Sequence, residues 1–212
     1  MLIAIDGPSS SGKGTIAKML AKYFNIPCLN TGALYRALAY LAINNRLNLE
    51  EDSDKIANLA SQIDLNNLEA DWLHNEQIGK FASIIAKNPL IRHSLLSLQK
   101  NFIIQSLKNN NGAVIEGRDI GTVICPEANY KFFITASAEQ RAVRRYKQLT
   151  KKGQKVNYNT ILSDLQARDT QDKNRTNSPL TKADDALEIN TSELTANQVF
   201  DKCINYINNL DS

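Results

Sequence analysis

Apolar residues in this chain fall into two alternating patterns, short continuous runs and longer stretches that recur every three or four positions. Leu2-Ile3-Ala4-Ile5-Asp6 is a continuous run suited to a buried parallel strand, and Ile16 to Tyr23 has the helical period. Asn25 to Asn30 predicts a second strand, with Pro27 marking its start or an edge. Ala33 to Ile43 predicts a helix with Thr31 or Gly32 near its cap. Between residues 46 and 87 the signal weakens. Helical segments over Lys55 to Ile63 and Ile78 to Lys87 flank a polar stretch at Leu68 to Trp72, which reads as an excursion without a strand of the central sheet. Asn88 as cap and Pro89 as first residue open the next helix, which runs through Leu107. Ala113 to Asp119 predicts a strand that stops in a charged loop, Lys131 to Thr135 another buried strand, and Ser137 to Lys152 a helix that Gly153 breaks. A further helix starts near Asn159, Ala186 to Asn190 predicts the last strand, and Thr195 with Gln198 forms a capping-box pattern before the final helix. Strand and helix alternate throughout. That order predicts an α/β chain with a parallel sheet covered on both faces.

Composition narrows the class. With 212 residues, 42% of them hydrophobic, the chain can bury one sizeable core, so residues 1–212 are expected to form a single domain with excursions. A net charge of +3, with no block of Lys and Arg, argues against a nucleic-acid surface. Cys28, Cys125 and Cys203 are far apart and lack zinc or disulfide spacing, so they read as small core residues. His74 and His93 have no partners at metal-ligand spacing. The chain opens on a strand, and no apolar run reaches membrane-spanning length. Both point to a cytoplasmic protein with no membrane partner.

The chemistry concentrates first at Gly7-Pro8-Ser9-Ser10-Ser11-Gly12-Lys13-Gly14-Thr15, between the first strand and first helix. Glycines there let backbone N–H groups turn inward, the helix start adds partial positive charge, and Lys13 can reach outer phosphates. A nucleoside triphosphate fits such a loop, although a ligand-free glycine turn has the same local pattern. Gly14 stands where many such loops carry a hydroxyl, and the G-K-G-T ending resembles that of nucleoside monophosphate kinases. Glu116, Arg118 and Asp119 lie at a strand end, where open α/β sheets bind ligands. Arg36 is an anion ligand or a solvated helix residue. Arg141, Arg144 and Arg145 share one helical face by spacing, which suits either an anion or solvent. Arg168, Asp172 and Arg175 share another if the helix persists that far.

Together with Thr31-Gly32-Ala33-Leu34-Tyr35-Arg36, Glu116-Gly117-Arg118-Asp119-Ile120-Gly121-Thr122 and the run Arg168 to Arg175, the loop makes the chain resemble the bacterial cytidylate kinases almost end to end. The resemblance implies a P-loop kinase fold. It consists of a five-stranded parallel sheet with helices on both faces, a monophosphate-binding excursion over about 31–108, and a short lid with flanking helices over 141–175. It also implies transfer of the γ-phosphoryl group of ATP to CMP or dCMP in pyrimidine nucleotide metabolism, by a monomer. Mg2+ would be bound through the nucleotide, with no metal site of the protein's own. Under this resemblance Gly7 to Thr15 cradle ATP. Arg36, Arg118 and Arg175, helped by Thr31, hold the acceptor phosphate; Ser83, Arg92 and Asp119 read cytosine; Arg168 and Asp172 meet the sugar. Lys13, Arg118, Arg175, Arg145 and Arg144 form the implied catalytic set. Such a cluster suits a reaction that asks mainly for alignment and charge stabilisation.

The chain departs from that family between about Leu65 and Phe81, where the excursion is short, and carries His74 and Asn190 where an arginine and an aspartate are usual. Competing activities are phosphorylation of UMP or AMP, a small-molecule kinase of the shikimate or gluconate type, or a nucleotide-binding regulator. No N-K-x-D guanine-reading element is present.

Overall fold

A computed structural model of the chain describes residues 1–49 and 51–210, apart from the side chains of Asp71 and His74. Its five strands, β1 (Leu2–Asp6), β2 (Cys28–Asn30), β3 (Ala113–Gly117), β4 (Tyr130–Thr135) and β5 (Leu187–Asn190), lie in the order β2-β3-β1-β4-β5. β1 pairs in parallel with β3 and β4, and β4 with β5. The expected α/β architecture with a five-stranded parallel sheet is the one observed. By internal contacts the chain divides into two compact units, Met1–Cys28 with Gly112–Ser212, and Leu29–Asn111.

In the first unit, alternation along the strands sorts side chains to two faces. Ile3, Ile5, Val114, Phe132, Ile134 and Ile189 share a core with Leu20 of α1 (Lys13–Phe24) and Cys203 and Ile207 of α8 (Ala196–Leu210). Ala4 and Ile115 point the other way and are equally buried, so both faces of the sheet are covered. Register sets Ile5 beside Glu116 and Asp6 beside Gly117 and Phe133. The loops after β1 and β3 therefore leave the same edge of the sheet, the carboxyl edge where such sheets bind ligands. Two further helices, α6 (Ala138–Lys151) and α7 (Tyr158–Asn174), pack through Ala142, Leu149, Ile161 and Leu165.

The second unit is helical from Thr31 onward. α2 (Thr31–Asn44), α3 (Ser53–Asn58), α4 (Glu76–Ile85) and α5 (Pro89–Asn110) enclose Leu34, Leu38, Ile56, Leu73, Ile85 and Ile91. Asn88 caps α5 as its spacing predicts, its Oδ1 accepting from Leu90 N at 2.9 Å while its Nδ2 donates to Ser53 Oγ at 2.6 Å. The weakly patterned stretch before α4 holds three short 3-10 turns, Leu59–Gln62, Leu65–Asn67 and Asp71–His74.

Several boundaries differ from the sequence pattern for local reasons. Asn30, rather than Thr31 or Gly32, caps α2, because its Oδ1 accepts from Ala33 N at 3.1 Å. Arg175 has left α7: it is the C-cap residue with extended backbone, φ −66° and ψ 140°, so it does not continue the helical face of Arg168 and Asp172. Residues Ile120–Ile124, to which the pattern assigns no element, form one π-helical turn closed by Ile124 N and Cys125 N donating five residues back. Cys125 and Cys203 are buried and Cys28 partly so, all as free thiols. Among the described residues, no helix is long and apolar enough to cross a membrane.

Candidate active site

The loop from Gly7 to Thr15 owes its shape to three backbone positions. Gly7 (φ 149°) and Gly12 (φ 96°) occupy conformations that favour glycine, and Ser10 sits at φ 61°. At Gly7 a Cβ would also fall 2.0 Å from the Ile134 carbonyl oxygen, so only glycine lets β1 pass into the loop beside β4. α1 starts from Gly12 with no side-chain cap and no acidic residue in its first turn. Thr15 N already turns back to Gly12 O at 3.0 Å, which leaves the amides ahead of it to an anion that the dipole favours. Lys13 Nζ arches back to donate to Pro8 O at 3.2 Å.

The loop is held from behind by groups the sequence does not assign to it. Arg141 Nη1 donates to Ser9 O at 3.2 Å, Arg144 Nη1 to Ser11 O at 3.2 Å, and Thr191 Oγ1 to Ser11 O at 2.9 Å. Arg141 is only 3% exposed and makes a bidentate pair with Asp169. Its face is buried, not solvated. Arg144 is also bound to Thr191 through Oγ1 and the carbonyl, whereas Arg145 contacts Gln148 at 3.0 Å on a more open side. The three arginines thus diverge despite their shared spacing.

At the end of β3, Arg118 Nε donates to Asp172 Oδ2 at 2.8 Å. Burial pushes the Asp172 carboxyl up, but the charges of Arg118, Arg168 and Arg175 outweigh it and hold the group below the usual carboxylate range. Arg175 Nη2 lies 3.8 Å from Asp119 Oδ1, and its Nε donates to the Ser178 carbonyl. The structure thus brings Arg118, Asp119, Arg168, Asp172 and Arg175 into one network. Lys13 shares its field. Desolvation first, then the like charge of Arg118, push the Lys13 ammonium down to about 7, with Glu116 acting in the opposite sense.

Two buried carboxylates complete this edge, and alternation sends them to opposite faces. Glu116 lies against α1: a Cβ on Gly14 would come 3.1 Å from its Oε1, so a side chain at the hydroxyl position of the loop would press on the end of Glu116. Asp6 accepts from Ile120 N and Gly121 N, each at 2.8 Å. Asp6 was not legible as a site residue from the sequence, because a single acid ending a strand carries no periodic signal. Its one sequence cue is its place directly before Gly7.

The remaining candidates sit on the Leu29–Asn111 unit. Thr31 is the buried first residue of α2, and the Arg36 guanidinium folds back over that helix start, with Nη1 3.4 Å from where a Cβ on Gly32 would be. Arg92 lies over the Tyr35 ring at 5.8 Å and donates to Ala86 O at 3.4 Å. Ser83 Oγ donates to Gly79 O within its own helix. Asn190, at the end of β5, accepts from Ser192 N at 3.0 Å and so closes its own turn. No cluster of three or more His, Cys, Asp or Glu suited to a metal occurs among the described residues.

The family model for cytidylate kinase matches residues 3–209. The chain belongs to the cytidylate kinase family. A cytidylate kinase from Bartonella tribocorum is 43% identical over 199 residues, covering 94% of this chain and 90% of that protein. One from Xanthobacter autotrophicus is 43% identical over 200 residues, covering 94% and 93%. Among solved structures, an uncharacterised protein from Eubacterium ventriosum has a TM-score of 0.51 at 18% identity, covering 98% of each chain. A sugar kinase from Janibacter sp. has a TM-score of 0.50 at 14% identity, covering 98% of this chain and 94% of that one. These two structures share the fold. Membership in the cytidylate kinase family rests on the family model and the two sequence relatives.

Proposed function

We propose that the chain transfers the γ-phosphoryl group of ATP to CMP or dCMP, giving ADP and CDP or dCDP. The observation that carries this reading is electrostatic adjacency. Lys13 of an uncapped phosphate loop, its charge disfavoured first by desolvation, also lies in the field of Arg118 and Arg168, and those arginines surround Asp172. A donor cradle beside a guanidinium cluster suits two phosphorylated substrates that repel each other, since planar guanidiniums bridge phosphate oxygens in pairs. Family membership supports the choice of cytidine nucleotides.

In this reading the amides of Gly7 to Thr15 and Lys13 hold the ATP phosphates, and Arg118 and Arg175 hold the acceptor phosphate and stabilise charge on the transferred group. Arg168 and Asp172 orient the acceptor sugar, and Asp119 accepts from the cytosine amino group. Thr31, Arg36, Ser83 and Arg92, carried over from the family pattern, are the remaining acceptor candidates. Arg145, on the more open side of α6, is the better placed of the lid arginines to reach a phosphoryl group, since Arg144 is already bound to Ser11 and Thr191. A triphosphate held in this loop would carry its own Mg2+, which would supply neutralising charge to its oxygens. The loop suits a triphosphate that brings its own cation, since the helix start carries no acidic residue and Gly14 brings no Cβ toward Glu116. The protein acts as a cytoplasmic monomer, which sedimentation of the purified chain checks for assembly.

The test is a coupled assay with ATP and each of CMP, dCMP, UMP and AMP. Preferred turnover of CMP and dCMP is the expected result, and faster turnover of AMP or UMP overturns the acceptor assignment.

A further inference from the structure

Asp6 has no role in the site as assigned above, yet it is 5% exposed and ends the strand that leads directly into Gly7. Burying a carboxylate is costly unless its oxygens are satisfied. Here both are, by consecutive backbone amides more than a hundred positions away, Ile120 N on Oδ1 and Gly121 N on Oδ2, each at 2.8 Å. Those amides directly follow Arg118 and Asp119 and open the π-helical turn. The first residue before the turn, Asp119, makes no side-chain cap, and Gly121 is packed so closely that a Cβ would meet Lys131 Cδ at 3.1 Å and Asp6 Oδ2 at 3.5 Å.

We propose that Asp6 is a positioning residue whose carboxylate clamps the Arg118–Asp119 turn to the strand that bears the phosphate loop, setting the acceptor-side groups relative to the donor cradle. This rests on the reading of Arg118 and Asp119 as acceptor-side groups. It adds a residue that touches neither substrate and works through the backbone of those that do.

The same geometry makes the clamp sensitive to pH. Burial pushes the Asp6 carboxyl up to about 6; the amides of Gly121 and Ile120 oppose this, Asp119 adds to it and Arg118 offsets it. Beyond Asp119 and Arg118 lie their partners Arg175 and Asp172, and Lys131 has its ammonium turned away to Pro126 O and Asp185. Because the folded value lies above the ordinary carboxylate value, Asp6 itself favours the fold more as pH falls through about 6. Its two-amide clamp weakens over the same range, since the added O–H faces an N–H. Acidification therefore moves stability and positioning in opposite directions at this residue, which a merely structural carboxylate would not do.

The experiment compares the wild-type chain with Asp6→Asn from about pH 5 to about pH 8, measuring KM for CMP, KM for ATP and kcat. Asparagine keeps the shape but turns an N–H toward one of the two amides, so at about pH 8 KM for CMP should rise roughly five- to tenfold, with KM for ATP nearly unchanged. Near pH 5 the ratio of variant to wild type should approach one. The CMP phosphate and Lys13 also titrate in this window, but they are common to both proteins and cancel in the ratio. A pH-independent ratio, or equal losses for ATP and CMP, overturns the proposal. Hydrogen exchange at Ile120 and Gly121, corrected for intrinsic rates, is read in parallel. Protection in the wild type should fall between about pH 8 and about pH 5, and unchanged protection overturns the clamp even if Asp6→Asn does not fold. Failure of the acceptor reading looks different: the wild-type chain then does not turn over CMP, while the exchange result still decides the clamp.

Discussion

Arg118 Nε and Asp172 Oδ2 meet at 2.8 Å, joining the end of β3 to α7 across 54 positions of sequence. Both side chains are largely buried, at 16% and 8% exposure, so the carboxylate fixes the direction of the guanidinium in addition to any contact it makes with substrate. Asp172→Asn is expected to lower kcat/KM for CMP by roughly ten- to a hundredfold, while leaving KM for ATP little changed. Because the folded carboxyl is held below its ordinary value, its contribution to stability is present above about pH 4 and lost as pH falls through the folded value. Thermal melts between about pH 5 and about pH 3 should therefore show a steeper loss in the wild type than in the variant.

Lys13 offers a second pH test of the same sign in a higher range. Its folded value near 7 lies below that of a free lysine, so between about pH 7 and pH 10 the unfolded chain binds more protons and stability rises with pH. ATP reverses the local balance by supplying negative charge. Binding ATP at about pH 8 should therefore take up a fraction of a proton, seen by titration calorimetry as a binding heat that depends on the buffer's ionisation enthalpy. The dependence should fade at about pH 6 and be absent in Lys13→Met. That variant should also lose roughly a hundred- to a thousandfold in kcat as the donor-side clamp on transition-state charge is removed.

Asp119 is 5% exposed and lies 3.8 Å from Arg175 Nη2, so its carboxylate has a cationic partner before any substrate arrives. If it also reads the cytosine amino group, uracil leaves part of that buried carboxylate unmatched, at about 1 to 3 kcal/mol. Asp119→Ala should then reduce kcat/KM for CMP roughly ten- to a hundredfold more than for UMP. Equal losses with both nucleotides identify Asp119 as the partner that seats Arg175 instead.

How far these groups were legible depended on what kind of signal each one leaves. Continuous apolar runs and caps such as Asn88 and Thr195 specify elements locally, and those elements appear with shifted ends: β2 starts at Cys28 rather than Asn25, and α5 runs on to Asn110. The phosphate loop was legible because glycine conformation and the strand–helix context are both local properties. Asp6 and the backing role of Arg141 were not. Asp6 meets its partners 114 and 115 positions away, and Arg141 meets Ser9 132 positions away. Helical spacing shows that Arg141, Arg144 and Arg145 neighbour one another, but not that the packing of α6 and α7 buries the first and leaves the last more open. Arg175 was misplaced because periodicity does not reveal that α7 ends at Asn174.

Gly7 should be the least replaceable glycine of the phosphate loop. Alanine there combines an unfavourable φ of 149° with a Cβ 2.0 Å from the Ile134 carbonyl oxygen, which is backbone of a central strand and cannot swing aside. Gly7→Ala is expected to cost about 3 kcal/mol or more, the sum of backbone strain and overpacking. At Gly14 the near neighbour is the end of the Glu116 side chain at 3.1 Å, which can yield. Gly14→Ala should therefore lose much less stability in denaturant titration, and the order of the two variants is the check.

Arg141 and Arg145 test whether one helical face holds two kinds of arginine. Arg141 is buried, paired bidentately with Asp169 and bonded to the carbonyls of Ala136 and Ser9. Removing it leaves the Asp169 carboxylate without its partner and two carbonyls without their donor. Arg141→Met is thus expected to cost about 3 to 5 kcal/mol of stability. Arg145 bonds Gln148 on a half-exposed surface, so Arg145→Ala should cost much less stability than Arg141→Met. Its effect should fall on kcat instead, if its guanidinium closes on the phosphoryl group during transfer. Denaturant melts and single-turnover rates on the two variants separate these outcomes. Equal effects on stability would mean that Arg145 is anchored as Arg141 is, and an unchanged single-turnover rate in Arg145→Ala would remove it from the transfer step.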